Sequence, residues 1–289
     1  MAVSVSSQTM LDKITATIGE LPASPAIVAK VMGLTADLNA SVEDLGEVLA
    51  SDSALTAKVL RLSNSSFYGR SRSVSSLKEA ILILGFYTLR SMVIASSTHA
   101  LYGRKDNAQF GQKLWDHSLA CGMASRLVAR RIHHPKIEEI FIAGLLHDIG
   151  KMILGQKLTA AYDKVVREVE ETGRSFVEIE LARLGFSHVE VGATILQKWN
   201  FPPELVVGVK SHHDAVCDSS ESVAPIGCVV GFSNKLAKQI AVGFEEPDFD
   251  LLAGHPFAGI FKFDEGILTE MTDELRTRFG EEKHLFEDN

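Results

Sequence analysis

Length, composition and charge place the chain among large globular proteins. Its 289 residues are 46% hydrophobic and 23% charged, with a mean hydropathy of +0.10. This balance supplies enough apolar side chains for a large core and excludes a disordered or fibrous chain. The 29 basic residues are outnumbered by 37 acidic ones, which gives a formal net charge of −8. Because non-specific nucleic-acid binding depends on neutralising phosphates, this charge disfavours DNA or RNA as a partner.

Cysteine usage and the apolar segments indicate a cytoplasmic protein. The three cysteines are Cys121, Cys217 and Cys228, and no two of them form a C-x-x-C pair. This predicts neither a disulfide framework nor a thiolate zinc site. The N-terminus lacks the basic segment and apolar run of a signal peptide, and the most apolar stretch, residues 80–94, is short and contains Arg90. We therefore expect no membrane span.

Taken in chain order, the predicted elements are helices. Apolar residues recur at spacings of three and four, and no series of alternating strands is evident, so the predicted fold class is all-α. Residues 1–99 predict short helices that are interrupted at residues 21–22, 37–40, 51–53 and 64–75. Two capping boxes and two prolines mark further helix starts: Ser76 with Glu79, Ser187 with Glu190, Pro203 and Pro225. A last helix is predicted at residues 265–279.

The distribution of histidines divides the chain into three predicted parts. Residues 1–108 form an N-terminal helical part, residues 109–241 form a helical bundle that holds most of the histidines, and residues 242–289 form an acidic C-terminal extension. Any chemistry is expected in the second part.

The adjacent pair His147 and Asp148 is the sharpest local feature of that part. The two polar residues follow the apolar sequence Gly144-Leu145-Leu146, at the end of a predicted buried helix. A buried carboxylate is costly unless something compensates its charge. A divalent metal would do so, and a plain hydrogen bond between the aspartate and the histidine is the alternative.

Other polar residues fall on inward faces or at the ends of predicted helices. His117 shares a helix face with small and apolar side chains, His188 follows a capping serine, and Asn234 lies on an apolar face. His212 and His213 end the helix that begins at Pro203. Together with His147 and Asp148, the histidines could form a nitrogen and oxygen shell suited to iron, manganese, zinc or nickel. Singly, each histidine is more often a satisfied core residue than a metal ligand.

This ordered set of residues resembles the HD superfamily of metal-dependent phosphohydrolases, in particular its HD-GYP cyclic-di-nucleotide phosphodiesterase branch. Three segments of the first half, LPASPAIVAKVMGL, LASDSALTAKVLRLSNSSFYG and SVSSLKEAILILGFYTLRSM, resemble the HDOD domain, a bacterial signalling and output relative of the HD hydrolases. Together the resemblances cover about residues 21–240. They imply an all-helical fold: a multi-helix HD-like bundle with an N-terminal helical HDOD subregion.

The resemblance also implies a site that holds one or two divalent transition-metal ions. Its ligands would be His117, His147, Asp148, His188, His212 and His213. Lys151 matches a lysine that approaches a substrate phosphate, although a lysine at this place can also be a solvated helix cap.

The sequence departs from the hydrolase pattern at three places. Asn234 stands where active relatives have a last metal-binding aspartate, so that it offers an amide oxygen without charge. Lys113 stands where some relatives place a carboxylate ligand, and no Gly-Tyr-Pro signature follows His213. Loss of an anionic ligand weakens both metal binding and the activation of water.

These observations favour a bacterial signal-transduction protein of the HDOD type that acts through a signalling protein partner. Its pocket would bind metal and a phosphorylated or nucleotide ligand, with weak or absent catalysis. The alternative is an active metal-dependent phosphohydrolase or cyclic-nucleotide phosphodiesterase, with Lys151 and the metal ligands as its catalytic machinery. A helical remnant of the HD fold without any ligand is a third hypothesis.

Overall fold

The all-α prediction is confirmed. A computed structural model describes residues 30–31, 34, 41–50, 52–65, 74–102, 108–214, 217–218, 223–244 and 246–287, and this part of the chain contains helices and turns without any β-strand. The chain forms two compact units. One comprises Leu21–Gly103 with Arg276–Asn289, and the other comprises Met1–Glu20 with Arg104–Leu275.

The described part of the first of these units contains the short α-helices α1 (Val42–Ala50), α2 (Ser53–Ser63), α3 (Leu77–Leu84) and α4 (Phe86–Thr98). The 3-10 helices His99–Tyr102 and Lys283–Leu285 also belong to it. The capping interaction predicted at the start of α3 is half formed, because the Ser76 hydroxyl accepts from Glu79 N whereas the Glu79 carboxylate accepts from Ser75. Fully buried aliphatic side chains form its core: Leu45, Leu49, Val59, Leu62, Leu89 and Met92.

The second unit contains most of the histidines. The helices among its described residues are α5 (Ala108–Arg131), α6 (Ile137–Leu146), α7 (Ile149–Lys157), α8 (Thr159–Thr172), α9 (Phe176–Leu184), α10 (His188–Lys198), α11 (Pro203–Ser211), α12 (Ile226–Lys238), α13 (Phe249–Ala253), α14 (Pro256–Ile260) and α15 (Glu265–Glu282), of which residues up to Leu275 belong here.

Helix α5 is the central element of this unit and packs closely against α6. A methyl group at Gly144 would lie 2.3 Å from Ser125 Oγ and 2.9 Å from Cys121 O, so only glycine permits this approach. The contact lies along the α5 face that carries His117, and α6 ends immediately before His147. Close packing of these two helices therefore brings the two histidines to one place.

Several predicted helix starts are confirmed. Ser187 and Glu190 form the complete capping box at the start of α10, and Pro203 is the first residue of α11. Pro225 occupies the N-cap of α12, one residue earlier than a first-turn position. The last predicted helix extends to Glu282. The predicted breaks at residues 21–22 and 37–40 lie outside the described residues.

The observed units differ from the predicted three-part division. The extension predicted at residues 242–289 divides at Leu275, and residues 242–275 belong to the unit that contains the histidines. Aromatic packing explains this, because the ring of Phe257 stacks on Phe232 of α12 at 4.9 Å and Phe263 lies 5.8 Å from the same ring. The aromatic rings of Phe257 and Phe263 therefore attach this acidic segment to the unit.

Within the described residues, no single helix combines the length and apolar content needed to cross a membrane. The pair α3 and α4 meets those criteria jointly but is bent by 119°.

Candidate metal centre

The site is built around Asp148, whose side chain is fully buried at the junction of two helices. His147 follows the last residue of α6, and Asp148 occupies the N-cap of α7. His117 reaches this point from the middle of α5, and His188 is the first residue of α10. His212 and His213 follow the last residue of α11. The six residues that the sequence predicted as ligands thus come from five helices or their ends.

The two oxygens of the Asp148 carboxylate face different histidines. Oδ2 lies 3.3 Å from His147 Nε2 and 3.7 Å from His117 Nε2. Oδ1 lies 3.2 Å from His188 Nε2 and 4.0 Å from His212 Nε2. The carboxylate is therefore placed between two pairs of imidazoles.

Two groups of potential ligands result. In the first, which we call the His117 subsite, the ligand atoms of His117, His147 and Asp148 all lie within 4.8 Å of one another. In the second, the His213 subsite, the same holds for His188, His212 and His213. Such spacing is compatible with ligands that share an ion at metal–nitrogen distances of about 2 Å.

Backbone carbonyls orient two of the imidazoles. His147 Nδ1 lies 2.7 Å from Gly144 O, and His212 Nδ1 lies 2.6 Å from Val209 O. A carbonyl can only accept a hydrogen bond, so each Nδ1 carries the hydrogen and donates it. Without a proton on its other nitrogen, each ring presents the lone pair of Nε2, which is the atom facing Asp148. This arrangement is typical of metal-binding histidines.

His188 is oriented by a buried carboxylate that the sequence analysis missed. Glu180 Oε2 accepts from His188 Nδ1 at 2.7 Å and from the His188 backbone nitrogen at 2.8 Å. The other oxygen of Glu180 accepts from the hydroxyl of Tyr162 at 2.5 Å. Glu180 is fully buried and shares the inner face of α9 with Phe176 and Ile179. In the sequence, a glutamate on an apolar helix face is the signal that could have indicated this role.

Two glycines allow helices to cross at the site. A methyl group at Gly150 of α7 would lie 1.9 Å from His188 O, and one at Gly231 of α12 would lie 2.5 Å from His212 O. Both contacts are with backbone atoms, which a side-chain rotation cannot relieve. The backbones of the ligand-bearing segments are therefore held against α7 and α12.

Burial leaves several ligand-type atoms without hydrogen-bond partners. Within the described residues, these include Nε2 of His147, Nε2 of His212 and Oδ1 of Asp148. An unsatisfied buried polar atom costs about 1–3 kcal/mol. Their convergence, and the mix of imidazole nitrogens with a carboxylate, fits a divalent transition metal.

The charge states of His117 and Asp148 also fit that donor set, whereas His147 must first lose a proton. Burial lowers the pKa of His117 to about 3, which keeps its imidazole neutral near pH 7. Burial disfavours the charged form of Asp148, but the charges of His147 and Lys151 outweigh this and hold its pKa well below the usual range. Burial likewise opposes a proton on His147, yet the Asp148 charge raises its pKa to about 10. Metal binding at this histidine would therefore release a proton.

The remaining predicted site residues have different surroundings. Lys151 is buried, and its ammonium donates to Asp148 Oδ2 at 2.8 Å, so it is not a solvated cap. Asn234 is buried and its Oδ1 has no hydrogen-bond partner among the described residues. It shares a face of α12 with Gly231, which contacts His212, and with Lys238, which lines a cavity beside His117. Lys113 instead pairs with Glu170 at 3.2 Å.

Solved structures with the same fold align with nearly the whole chain. An HDOD domain protein of unknown function from Geobacter sulfurreducens is 26% identical, with a TM-score of 0.78 and 97% coverage of both chains. A protein provisionally named a phosphohydrolase, from Shewanella amazonensis SB2B, is 23% identical, with a TM-score of 0.72 and 96% coverage of both chains. A protein provisionally named a signal transduction protein, from Marinobacter aquaeolei VT8, is 20% identical, with a TM-score of 0.71, covering 99% of this chain and 67% of that one.

A longer curated relative also matches. An uncharacterized protein of Treponema pallidum (strain Nichols) is 22% identical over 238 residues, which is 78% of this chain and 45% of the relative. The chain thus spans less than half of that protein. The HDOD domain model itself matches residues 21–215, which include all six clustered residues. The chain belongs to the HDOD domain family.

Proposed function

We propose that this protein is a signal-transduction protein whose buried centre binds one or two divalent transition-metal ions and a phosphorylated ligand. It transmits the state of that centre to a protein partner, and it hydrolyses phosphodiesters weakly or not at all. The signalling role is supported by HDOD family membership and by the likeness to the Marinobacter aquaeolei VT8 protein.

The observation that carries the metal proposal is the division of the Asp148 carboxylate between two groups of histidines. Oδ2 lies 3.3 Å from His147 Nε2, and Oδ1 lies 3.2 Å from His188 Nε2. One carboxylate can therefore serve an ion in either subsite, or bridge two ions. His117, His147, His188, His212 and His213 would supply nitrogen, a donor set suited to iron, manganese, zinc or nickel.

Lys151 supports a phosphorylated ligand. Its ammonium lies 2.8 Å from Asp148 Oδ2, the oxygen that faces the His117 subsite. A cation bound there would compete for the charge of this oxygen and leave the ammonium available to an external anion. A bound metal also attracts phosphoryl oxygens, so the metal and Lys151 together provide two positive contacts.

Weak catalysis follows from charge. Asn234 would offer an amide oxygen where a carboxylate would hold a dication more strongly. The likeness to the Shewanella amazonensis SB2B protein keeps metal-dependent phosphohydrolysis as the second candidate.

Metal analysis combined with a substrate screen tests the proposal. The protein is purified without a histidine tag, its metal content is measured by mass spectrometry, and turnover of phosphodiesters and cyclic dinucleotides is assayed. Asp148→Asn removes the central charge, and Asp250→Asn at an exposed position is the control. We expect one or two ions in the wild type and the control, fewer in Asp148→Asn, and turnover near background.

Two results would contradict the proposal. A wild type that retains no metal after incubation with iron, manganese, zinc or nickel refutes metal binding. Rapid turnover that is lost in Asp148→Asn but kept in Asp250→Asn refutes weak catalysis and supports the phosphohydrolase.

A further inference from the structure

The two subsites differ in the exposure of their ligands. His117, His147 and Asp148 are all buried, whereas in the other subsite His213 is exposed and His188 and His212 are buried. A single carboxylate therefore lies between a closed subsite, with no exposed ligand, and a subsite with one exposed ligand. An ion in the closed subsite can leave only if a covering group moves.

The covering group comes from residues 242–244, which follow α12. Val242 and Phe244, together with His117, Lys151, Phe176 and Lys238, line a cavity of about 10 Å³ beside the closed subsite. That volume is close to the minimum that holds one water molecule. The backbone here lies directly on the imidazole of His117, because a methyl group at Gly243 would be 3.2 Å from three atoms of that side chain.

A large cavity is lined by some of the same residues. It has a volume of about 600 Å³ and is lined in part by Lys113, Lys235, Lys238, Gly243 and Phe244. This volume is within the range of small-molecule pockets. Phe244 and Lys238 line both cavities, so they form the partition between the large cavity and the His117 subsite.

Side-chain packing holds the partition in place. The ring of Phe244 lies 5.3 Å from that of Phe110 and 5.5 Å from that of Phe176. Residues 242–244 make no hydrogen bond with the described part of the chain and are partly exposed. The backbone is left-handed at Ala241, with φ of 57°, and at Gly243, with φ of 103°. Segments with few hydrogen bonds and partial exposure open at low free-energy cost.

We infer that residues 242–244 form a lid over the His117 subsite, with Phe244 as the group that closes the passage to the 600 Å³ cavity. Phe176 connects the lid to the centre, because its ring contacts Phe244 and also lies 4.2 Å from the ammonium of Lys151. The lid lies beyond residues 21–215, which match the family model. The role of the lid in regulating metal exchange rests on the proposed function.

Metal transfer to a chelator tests the lid. The protein is loaded with Zn²⁺, and the rate of transfer to a chromophoric chelator is measured for the wild type, Phe244→Ala and Phe261→Ala. Phe261 is a matched control because it is also partly exposed and its ring packs 4.5 Å from Phe257, among other aromatic rings. We expect the slowest phase to be at least about tenfold faster in Phe244→Ala and unchanged in Phe261→Ala. Equal rates in Phe244→Ala and the wild type would overturn the lid.

A second measurement tests the lid on protein from which metal has been removed. After chelator treatment, the rate at which diethyl pyrocarbonate modifies His117 is compared with the rate at His284, which is exposed. The lid predicts slow modification of His117 in the wild type and an increase of at least about tenfold in Phe244→Ala, with no change at His284. Unchanged modification of His117 would refute it. Failure of the wild type to bind iron, manganese, zinc or nickel would refute the proposed function, while this second measurement still tests the lid.

Discussion

Replacing Gly150 by alanine should separate two helices that hold the metal centre. Gly150 lies on α7, two residues after Asp148, where α7 meets the first turn of α10. An added methyl group would lie 1.9 Å from His188 O, 2.7 Å from His188 C and 3.0 Å from Gly192 N. All three atoms belong to the backbone, so the clash can be relieved only by moving one helix.

The size of the movement follows from these distances. Ordinary contact of a methyl group begins near 3.4 Å, so α10 must retreat from α7 by about 1.5 Å at His188. Metal ligands tolerate deviations of only about 0.2 Å from ideal distances. Overpacking of this kind typically lowers the free energy of unfolding by about 1–3 kcal/mol. We therefore expect loss of stability together with a large loss of metal affinity.

Urea unfolding and a Zn²⁺ competition titration measure the two effects. Gly259→Ala is the matched control, because a methyl group there meets no atom within 4 Å. This control should keep its metal affinity, and its stability should stay within about 1 kcal/mol of the wild type or increase. If Gly150→Ala retained both the stability and the affinity of the wild type, the account of close helix packing at the centre would be wrong.

Three further substitutions test separate parts of the account. Glu180→Gln removes the charge that orients His188 and should weaken metal affinity about 10- to 100-fold in a chelator competition; an unchanged affinity would contradict this role. Burial, assisted by the charge of Lys235, lowers the pKa of His255 to about 4. The unfolded chain therefore binds the proton more readily than the folded chain does, so stability is lost as pH falls from about 6.5 towards 4. Between neutral pH and pH about 4, the free energy of unfolding measured in urea should fall by about 1 kcal/mol more for the wild type than for His255→Asn, a value reduced because His255 is partly exposed. Equal decreases in the two proteins would argue against this explanation. Asn234→Asp should raise metal retention, measured by mass spectrometry, and increase any phosphodiesterase activity; no change in either quantity would show that Asn234 does not weaken the site.

The individual ligand candidates could be predicted because their signals are local. The spacing of His117 on an apolar helix face and the placement of His147 and Asp148 in apolar sequence both follow from helix periodicity and burial. These residues are buried within one centre, together with His188 and His212. Periodicity shows which way a side chain points from its own helix, so it is informative before the tertiary structure is known.

The division of Asp148 between two subsites could not be predicted in this way. It depends on how α5, α7, α10 and the end of α11 cross, and these crossings depend on contacts such as that of Gly150 with His188 O. The role of Glu180 was hidden for a similar reason, because eight residues and a helix boundary separate it from His188. The acidic composition of residues 242–289 predicts a separate extension, because composition does not reveal the packing of Phe257 on Phe232.

Anomalous diffraction from crystals grown with Zn²⁺ or Mn²⁺ tests the central claim most directly, since it locates the ion itself. We expect a peak about 2 Å from a carboxylate oxygen of Asp148 and from Nε2 of at least one facing histidine, His147 or His188. A second ion would give a second peak on the opposite side of the same carboxylate. A map from metal-saturated crystals with no peak within about 3 Å of either Asp148 oxygen would contradict the proposed centre.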